Sequence, residues 1–321
     1  MKIFVYSCRS DEAGYFKTFG EKYGVELTLC KDAPTLESAE LAKGFECISI
    51  ITSKIDAALL KKFHEAGVRY ISTRTIGFDH IDIKSAETLG IRVGNITYSP
   101  GSVAEYTVML ILMALRKAKA ILQRSNVQDY SLRGVQGREL HNLTVGVIGT
   151  GRIGRTVIRN LSGFGCGLLA YDLYPDEETK RYAEYVPLEQ LFAQSNVITM
   201  HVPAAKDNYH LINKDTIAKM KDGVILINTA RGSLIDTQDF IDGVESGKIG
   251  GAALDVVEDE FGLYYNDLKC TVLKNRGLAL LRSYPNVLVT PHTAFYTDQA
   301  VSDMVENSIK SCAAFMQEKT R

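Results

Sequence analysis

Residues 144–165 read TVGVIGTGRIGRTVIRNLSGFG. An apolar run reaches Gly149, and a helical pattern opens just after Gly151. Gly149, Gly151 and Gly154 form a GxGxxG at this junction, with Arg152 and Ile153 inside it. Each glycine answers a separate need: a tight turn, a close approach of backbone to a pyrophosphate, and close packing of helix on strand. The helix N-terminus then offers its free N–H groups to the phosphates. The next apolar run ends in LLAYD and places Asp172 eighteen residues past Gly154. That is close to the spacing expected of a carboxylate on the adenosine ribose. Such a carboxylate repels a 2′-phosphate, and Leu173, Tyr174 and Pro175 supply no cation to offset it. The expectation is therefore NAD rather than NADP.

Apolar runs alternate with helical periodicity on both sides of this motif. KIFVYS, VELTLC, CISII, RYIST and IRVGN are strand-like, and stretches such as DAALLKKFHEAG between them have helical spacing. A second series, LTVGVIG, GLLAYD, NVITMHV, GVILINT, IGGAALDV and NVLVTPH, is denser in Val, Ile and Leu. Strands this apolar suit a doubly wound parallel sheet with helices on both faces, so the class is α/β. Residues 98–122, YSPGSVAEYTVMLILMALRKAKAIL, predict one long helix capped by Ser99, with Pro100 in its first turn. Its middle, Val108 to Leu115, is apolar all round and predicts burial, between domains or between subunits. DQAVSDMVENSIKSCAAFMQ gives a last helix. Residues 258–285 interrupt the series before its final strand, and a long insertion in a compact domain is often functional.

Composition narrows the function. The 321 residues suffice for two domains, and 45% are apolar. Lys plus Arg number 37 and Asp plus Glu 38, giving a net charge of −1 without a basic tract, which argues against nucleic acid and anionic membranes as partners. No apolar run reaches the roughly 18 residues of a membrane span. MKIFVYSCRS turns polar too early for a signal peptide. The six cysteines are scattered without a CxxC, as expected of reduced thiols in a cytoplasmic protein. The six histidines are scattered too, and no metal site is expected.

Three strand ends of the second series carry reactive groups. Arg231 follows LINTA, Glu258, Asp259 and Glu260 follow ALDVV, and His292 follows VLVTP. Ligands of an open α/β sheet bind beyond the carboxyl ends of its strands. An arginine there grips a carboxylate by a bidentate fork, which lysine cannot copy. A histidine can give a proton to a carbonyl oxygen, and a carboxylate behind it favours its protonated form. Spacing alone leaves the choice among the three acids open. A methyltransferase using S-adenosylmethionine also has a glycine loop and an acid, but it would leave these strand ends unexplained.

GTGRIG, LINTARGSLID, GGAALDVVEDE and NVLVTPHTAFYT resemble the D-2-hydroxyacid dehydrogenases. STRTIGFDHID and YSPGSVAEY are similar to the D-lactate dehydrogenase branch, which includes vancomycin-resistance and phenyllactate dehydrogenases. The likeness runs along almost the whole chain. It implies Arg231 as carboxylate binder, Glu260 as the acid paired with the base, and His292 as proton donor. It also implies that residues 1–99 and 295–321 form a smaller flavodoxin-like substrate domain, with a Rossmann NAD-binding domain, 100–294, inserted between them. The cleft between the two is expected to close on substrate. A homodimer built on the helix after Pro100 is implied as well.

The resemblance carries further positions. Val202 and Pro203 of HVP would line the nicotinamide, and Asn208, Thr229, Ala230 and Asp255 match other cofactor contacts. His201 reads as a strand-end residue rather than a second base, and Arg74 as structural. Ile76 and Gly77 look like backbone donors to the substrate carboxylate. Phe78, Tyr98, Phe295 and Tyr296 are the remaining pocket candidates, large and mainly apolar, with no cation besides Arg231. That points to a small monocarboxylic 2-oxo or 2-hydroxy acid, pyruvate or a bulkier homologue. The alternatives are a phosphoglycerate or glyoxylate reductase, and an NAD(H)-sensing corepressor-like binding protein of the same fold.

Overall fold

The computed structural model describes residues 1–319. Residues 320 and 321, the end of the expected C-terminal segment, lie outside the described residues. The chain divides into two compact units, Met1–Ser99 with Tyr296–Arg321, and Pro100–Phe295.

The first unit holds β1 (Lys2–Val5), β2 (Glu26–Leu29), β3 (Cys47–Ile50), β4 (Tyr70–Thr73) and β5 (Arg92–Gly94). All pair in parallel in the order β2-β1-β3-β4-β5, the flavodoxin-like arrangement. β3 and β4 are buried along their whole length, with Ser49, Ser72 and Thr73 among their buried residues. Helix α1 (Ser10–Tyr23) and the C-terminal helix, Asp298–Lys319, pack on one face through Phe16, Val305, Ile309 and Cys312. The other face is covered by α2 (Ala57–Ala66) and α3 (Ile83–Thr88).

Arg74 follows β4 with its side chain fully buried. Its Nε donates to Glu12 Oε1 at 2.9 Å, its Nη1 to Ser49 Oγ at 3.0 Å, and its Nη2 to the Tyr6 and Ser7 carbonyls. A buried charge survives only when paired and hydrogen-bonded in this way. Arg74 is a tie between α1 and the sheet.

The second unit opens with α4 (Gly101–Leu115) and α5 (Ala118–Ser125). These are two helices, not the single helix expected. Lys117 sits between them at φ +52°, and Lys119 Nζ donates to the carbonyls of Arg282, Tyr284 and Val287, which sets the direction of α5. Pro100 occupies the N-cap position, and the Ser99 N–H goes to Asp303. Burial of α4 is one-sided. Ala104, Leu110, Ile111 and Leu115 are in the core, whereas Val108, Leu112, Met113 and Ala114 are half-buried and Met109 is exposed.

The sheet of this unit contains β6 (Thr144–Ile148), β7 (Gly167–Tyr171), β8 (Glu184–Tyr185), β9 (Val197–Met200), β10 (Val224–Asn228), β11 (Ile249–Leu254) and β12 (Val287–Val289). Its parallel order is β8-β7-β6-β9-β10-β11-β12, so strand order reverses between β6 and β9. That reversal opens the crevice in which doubly wound sheets bind ligands. The central strands are buried on both faces, β10 at all five positions. Helix α6 (Arg152–Ser162) buries Gly154, Val157, Ile158 and Leu161, one stripe at helical spacing.

Candidate active site

β6 runs straight into the glycine turn. Gly149 has φ +94°, and a Cβ there would meet the His201 carbonyl at 2.8 Å. A Cβ on Gly154 would stand 1.9 Å from the Gly149 oxygen, so only glycine lets α6 come this near. Gly151 is different. It caps α6, and a Cβ on it would meet nothing within 4 Å. Its bare face looks onto open space at a helix N-terminus, as a pyrophosphate cradle requires. Arg152 is exposed in the first turn of α6, and Ile153 packs against the core.

Asp172 follows β7 beside this turn. One carboxylate oxygen accepts from Thr150 N at 2.6 Å and Thr150 Oγ1 at 3.1 Å, and the other from Tyr174 N at 2.9 Å. The acid is thereby held against the glycine loop. Across the switch point, Val202 is half-buried and Pro203 exposed just past β9. Asn208 staples their loop, accepting from Ala205 N at 2.8 Å and donating to the Pro203 carbonyl at 2.8 Å. His201 shares a hydrogen bond with Thr199 at 3.0 Å, and desolvation pushes its imidazole down to about 3.

The turn after β10 is shaped by Asn228, a buried polar residue that ends an apolar strand. Its Oδ1 accepts from Ala230 N at 3.0 Å, and its Nδ2 donates to the Arg231 carbonyl at 2.8 Å. Thr229 is buried against Thr107, their hydroxyls 2.9 Å apart, and Ala230 is buried beside it. Arg231 Nη1 donates to the Ala230 carbonyl at 2.7 Å. A Cβ on Gly232 would collide with the Val257 carbonyl at 2.1 Å, so the arginine turn lies directly on the end of the segment leading to the three acids.

Those acids separate cleanly. Glu258 Oε1 meets His210 Nε2 at 2.7 Å, and its Oε2 accepts from Thr237 N and Oγ1 at 3.0 and 2.5 Å. Asp259 is exposed at φ +54°. Glu260 alone reaches the histidine, its Oε1 lying 2.6 Å from His292 Nδ1. A carboxylate on Nδ1 leaves Nε2 to face a reactant and stabilises the imidazolium.

His292 itself adopts φ +52°, a left-handed conformation uncommon outside glycine. Fully buried Asp255 supports the loop that holds it there. Asp255 Oδ1 accepts from Thr290 Oγ1 at 2.6 Å and Thr293 N at 3.0 Å, and Oδ2 from Ala294 N at 2.9 Å. The His292 N–H donates to the Asp255 carbonyl at 2.7 Å.

Residues 108–294 match the family model for the D-isomer specific 2-hydroxyacid dehydrogenase, NAD binding domain. The chain belongs to that family. An aromatic 2-oxoacid reductase of Clostridium sporogenes is 46% identical over 318 residues, 98% of this chain and 96% of the relative. A D-lactate dehydrogenase of Lactiplantibacillus plantarum is 40% identical over 321 residues, 99% of this chain and 97% of that one. The solved structure of a D-2-hydroxyisocaproate dehydrogenase superposes with a TM-score of 0.89 at 37% identity, covering 99% of this chain and 98% of the other. As a member of these dehydrogenases the protein is an NAD-dependent oxidoreductase, and the glycine cradle and Asp172 fit that cofactor.

Within this dehydrogenase the structure brings Glu260 and His292 together and sets the Arg231 turn against the same strand end. Ile76, Gly77, Tyr98 and Tyr296 belong to the first unit, whereas Phe295 belongs to the second, its ring centroid 6.4 Å from that of His292. The Ile76 and Gly77 carbonyls are held by Asn95 Nδ2 and Thr75 Oγ1, both at 2.6 Å. Tyr296 lies under the Arg9 guanidinium, 5.4 Å from its ring centre. Asn228 and the supporting carboxylate of Asp255 were not read as loop supports from sequence. The signal for the first was present: a buried amide closing an apolar strand needs partners.

Proposed function

We propose that this protein reduces a small monocarboxylic 2-oxo acid to the D-2-hydroxy acid with NADH. The observation that carries the reading is the 2.6 Å contact between Glu260 and His292 on the sheet edge that also bears Arg231. Arg231 binds the substrate carboxylate. His292 Nε2 gives its proton to the carbonyl oxygen, and Glu260 keeps that imidazole oriented through Nδ1. When bound, NADH supplies the hydrogen and electron pair that the carbonyl carbon receives. Gly149, Gly151, Arg152, Ile153 and Gly154 hold its pyrophosphate, and Asp172 its ribose. Val202, Pro203, Asn208, Thr229 and Ala230 frame the nicotinamide side, and Asp255 supports the loop that carries His292.

Phe295, its ring centroid 6.4 Å from that of His292, supports an apolar substrate side chain, which favours unphosphorylated acids. Relatives include both a D-lactate dehydrogenase and an aromatic 2-oxoacid reductase, so pyruvate and aryl pyruvates are the first substrates to compare. NADH consumption with pyruvate, phenylpyruvate, glyoxylate and phosphohydroxypyruvate tests this. Turnover of the first two is expected. Preference for phosphohydroxypyruvate, or for NADPH, would overturn it, and tight NADH binding without any turnover would favour a sensor.

The same reading makes the protein a cytoplasmic homodimer. Exposed Met109, Ile121, Leu122, Val127, Tyr130 and Leu132 support this, because apolar side chains clustered along one run of chain favour an association surface. A sedimentation mass of one chain at micromolar concentration would exclude it. Among the described residues, no helix is long and apolar enough to cross a membrane, and no cluster of three potential metal ligands occurs.

A further inference from the structure

The segment between β11 and the next helix, Arg276–Ser283, contains two adjacent tyrosines with different fates. Tyr264 packs against the hydrophobic core. Tyr265 is exposed, sits at φ +66°, and donates its hydroxyl to the His292 carbonyl at 2.7 Å. Its ring centroid is 6.5 Å from that of the imidazole.

The segment therefore grips one histidine twice. Glu260 takes the side chain at Nδ1, and Tyr265, five residues on, takes the main chain at the carbonyl. A turn in which the Leu263 N–H donates to the Glu260 carbonyl at 3.0 Å connects the two. The peptide joining His292 to Thr293 is held at both ends: its carbonyl by Tyr265 and its N–H by Asp255 Oδ1 at 3.0 Å. A left-handed residue other than glycine costs free energy and persists only where its surroundings over-determine it. Turning this peptide would swing the imidazole off Glu260.

We propose that Tyr265 is a positioning residue for His292, its hydroxyl locking the 292–293 peptide so that the Glu260–His292 pair is aligned before substrate arrives. This rests on His292 being the proton donor. Loss of one such hydrogen bond corresponds to a roughly fivefold effect. In NADH-dependent reduction of phenylpyruvate, Tyr265→Phe should lower kcat about five- to tenfold and leave the KM for NADH unchanged. The alkaline fall of the rate should begin at lower pH, because a misaligned carboxylate supports the imidazolium less well. Tyr265→Ala should lose at least as much.

Wild-type kcat and pH profile in Tyr265→Phe would overturn the proposal, as would a defect confined to Tyr265→Ala, which would leave only ring packing. A drop in kcat with a lowered Tm and an unmoved pH profile would also overturn it, assigning the tyrosine to folding. His292→Asn is measured alongside. If it keeps wild-type turnover, the reading of His292 fails and takes Tyr265 with it. If it is inactive while Tyr265→Phe is normal, Tyr265 alone is dismissed.

Discussion

Glu260 Oε1 lies 2.6 Å from His292 Nδ1, while Glu258, two residues earlier, is bound to His210 and Thr237. One acid of three is thus committed to the histidine, and one of the others to holding neighbouring loops. The chemistry assigned to the site depends on that division of labour.

Replacing Arg231 tests carboxylate recognition. Lysine keeps the charge and loses the fork. Arg231→Lys should raise the KM for the oxo acid at least tenfold and leave the KM for NADH near its wild-type value. Steady-state kinetics with both reactants varied will separate the two, and an unchanged oxo-acid KM would remove Arg231 from the site.

Asp255→Ala should destabilise the nucleotide unit. It leaves the Thr293 and Ala294 N–H groups and the Thr290 hydroxyl without their acceptor. At about 1–3 kcal/mol for each buried group left unsatisfied, discounted for rearrangement, the loss is on the order of 3 kcal/mol. Urea unfolding measures it, and turnover should fall with it because the loop carries His292.

Two glycines of one motif should fail differently. Gly154→Ala drives a methyl group against the Gly149 oxygen and should impair folding. Gly151→Ala meets no protein atom, so its Tm should stay within a degree or two while the Kd for NADH rises at least tenfold. Fluorescence titration with NADH alongside thermal unfolding distinguishes them. Equal Kd values for Gly151→Ala and wild type would move the pyrophosphate elsewhere.

His201 gives the protein an acid sensitivity. Its imidazole is held down at about 3, below the ordinary value of 6.5. The unfolded chain therefore takes up a proton that the folded one refuses, and stability falls as pH drops from about 6.5 toward 3. His201→Gln should flatten the stability–pH curve in that window, read by urea unfolding at successive pH values. A curve as steep as wild type would show that other groups set it.

Much of the architecture was legible because parallel strands buried on both faces read as continuous apolar runs, as VILIN does in β10. β8, two residues long at a sheet edge, carries no such pattern. The break at Lys117 was not legible either: Arg116, Lys117, Ala118 and Lys119 all favour helix, and the break comes from packing and from carbonyls more than 160 residues away. The glycine turn, Arg231 and His292 stood out as residues whose chemistry has no use in a bare scaffold. Glu260 did not separate from its neighbours by spacing, because only the path of the loop decides which acid reaches the ring. Tyr265 gave no signal at all, since its hydrogen bond depends on a positive φ in an irregular segment.

The most direct test of the central claim is the pH dependence of kcat for 2-oxo acid reduction in wild type and Glu260→Gln. The neutral amide no longer stabilises the imidazolium, so the alkaline limb should move down by about one pH unit or more, with kcat at neutral pH lowered about tenfold. An alkaline limb that does not move would contradict the Glu260–His292 pair as the source of the proton.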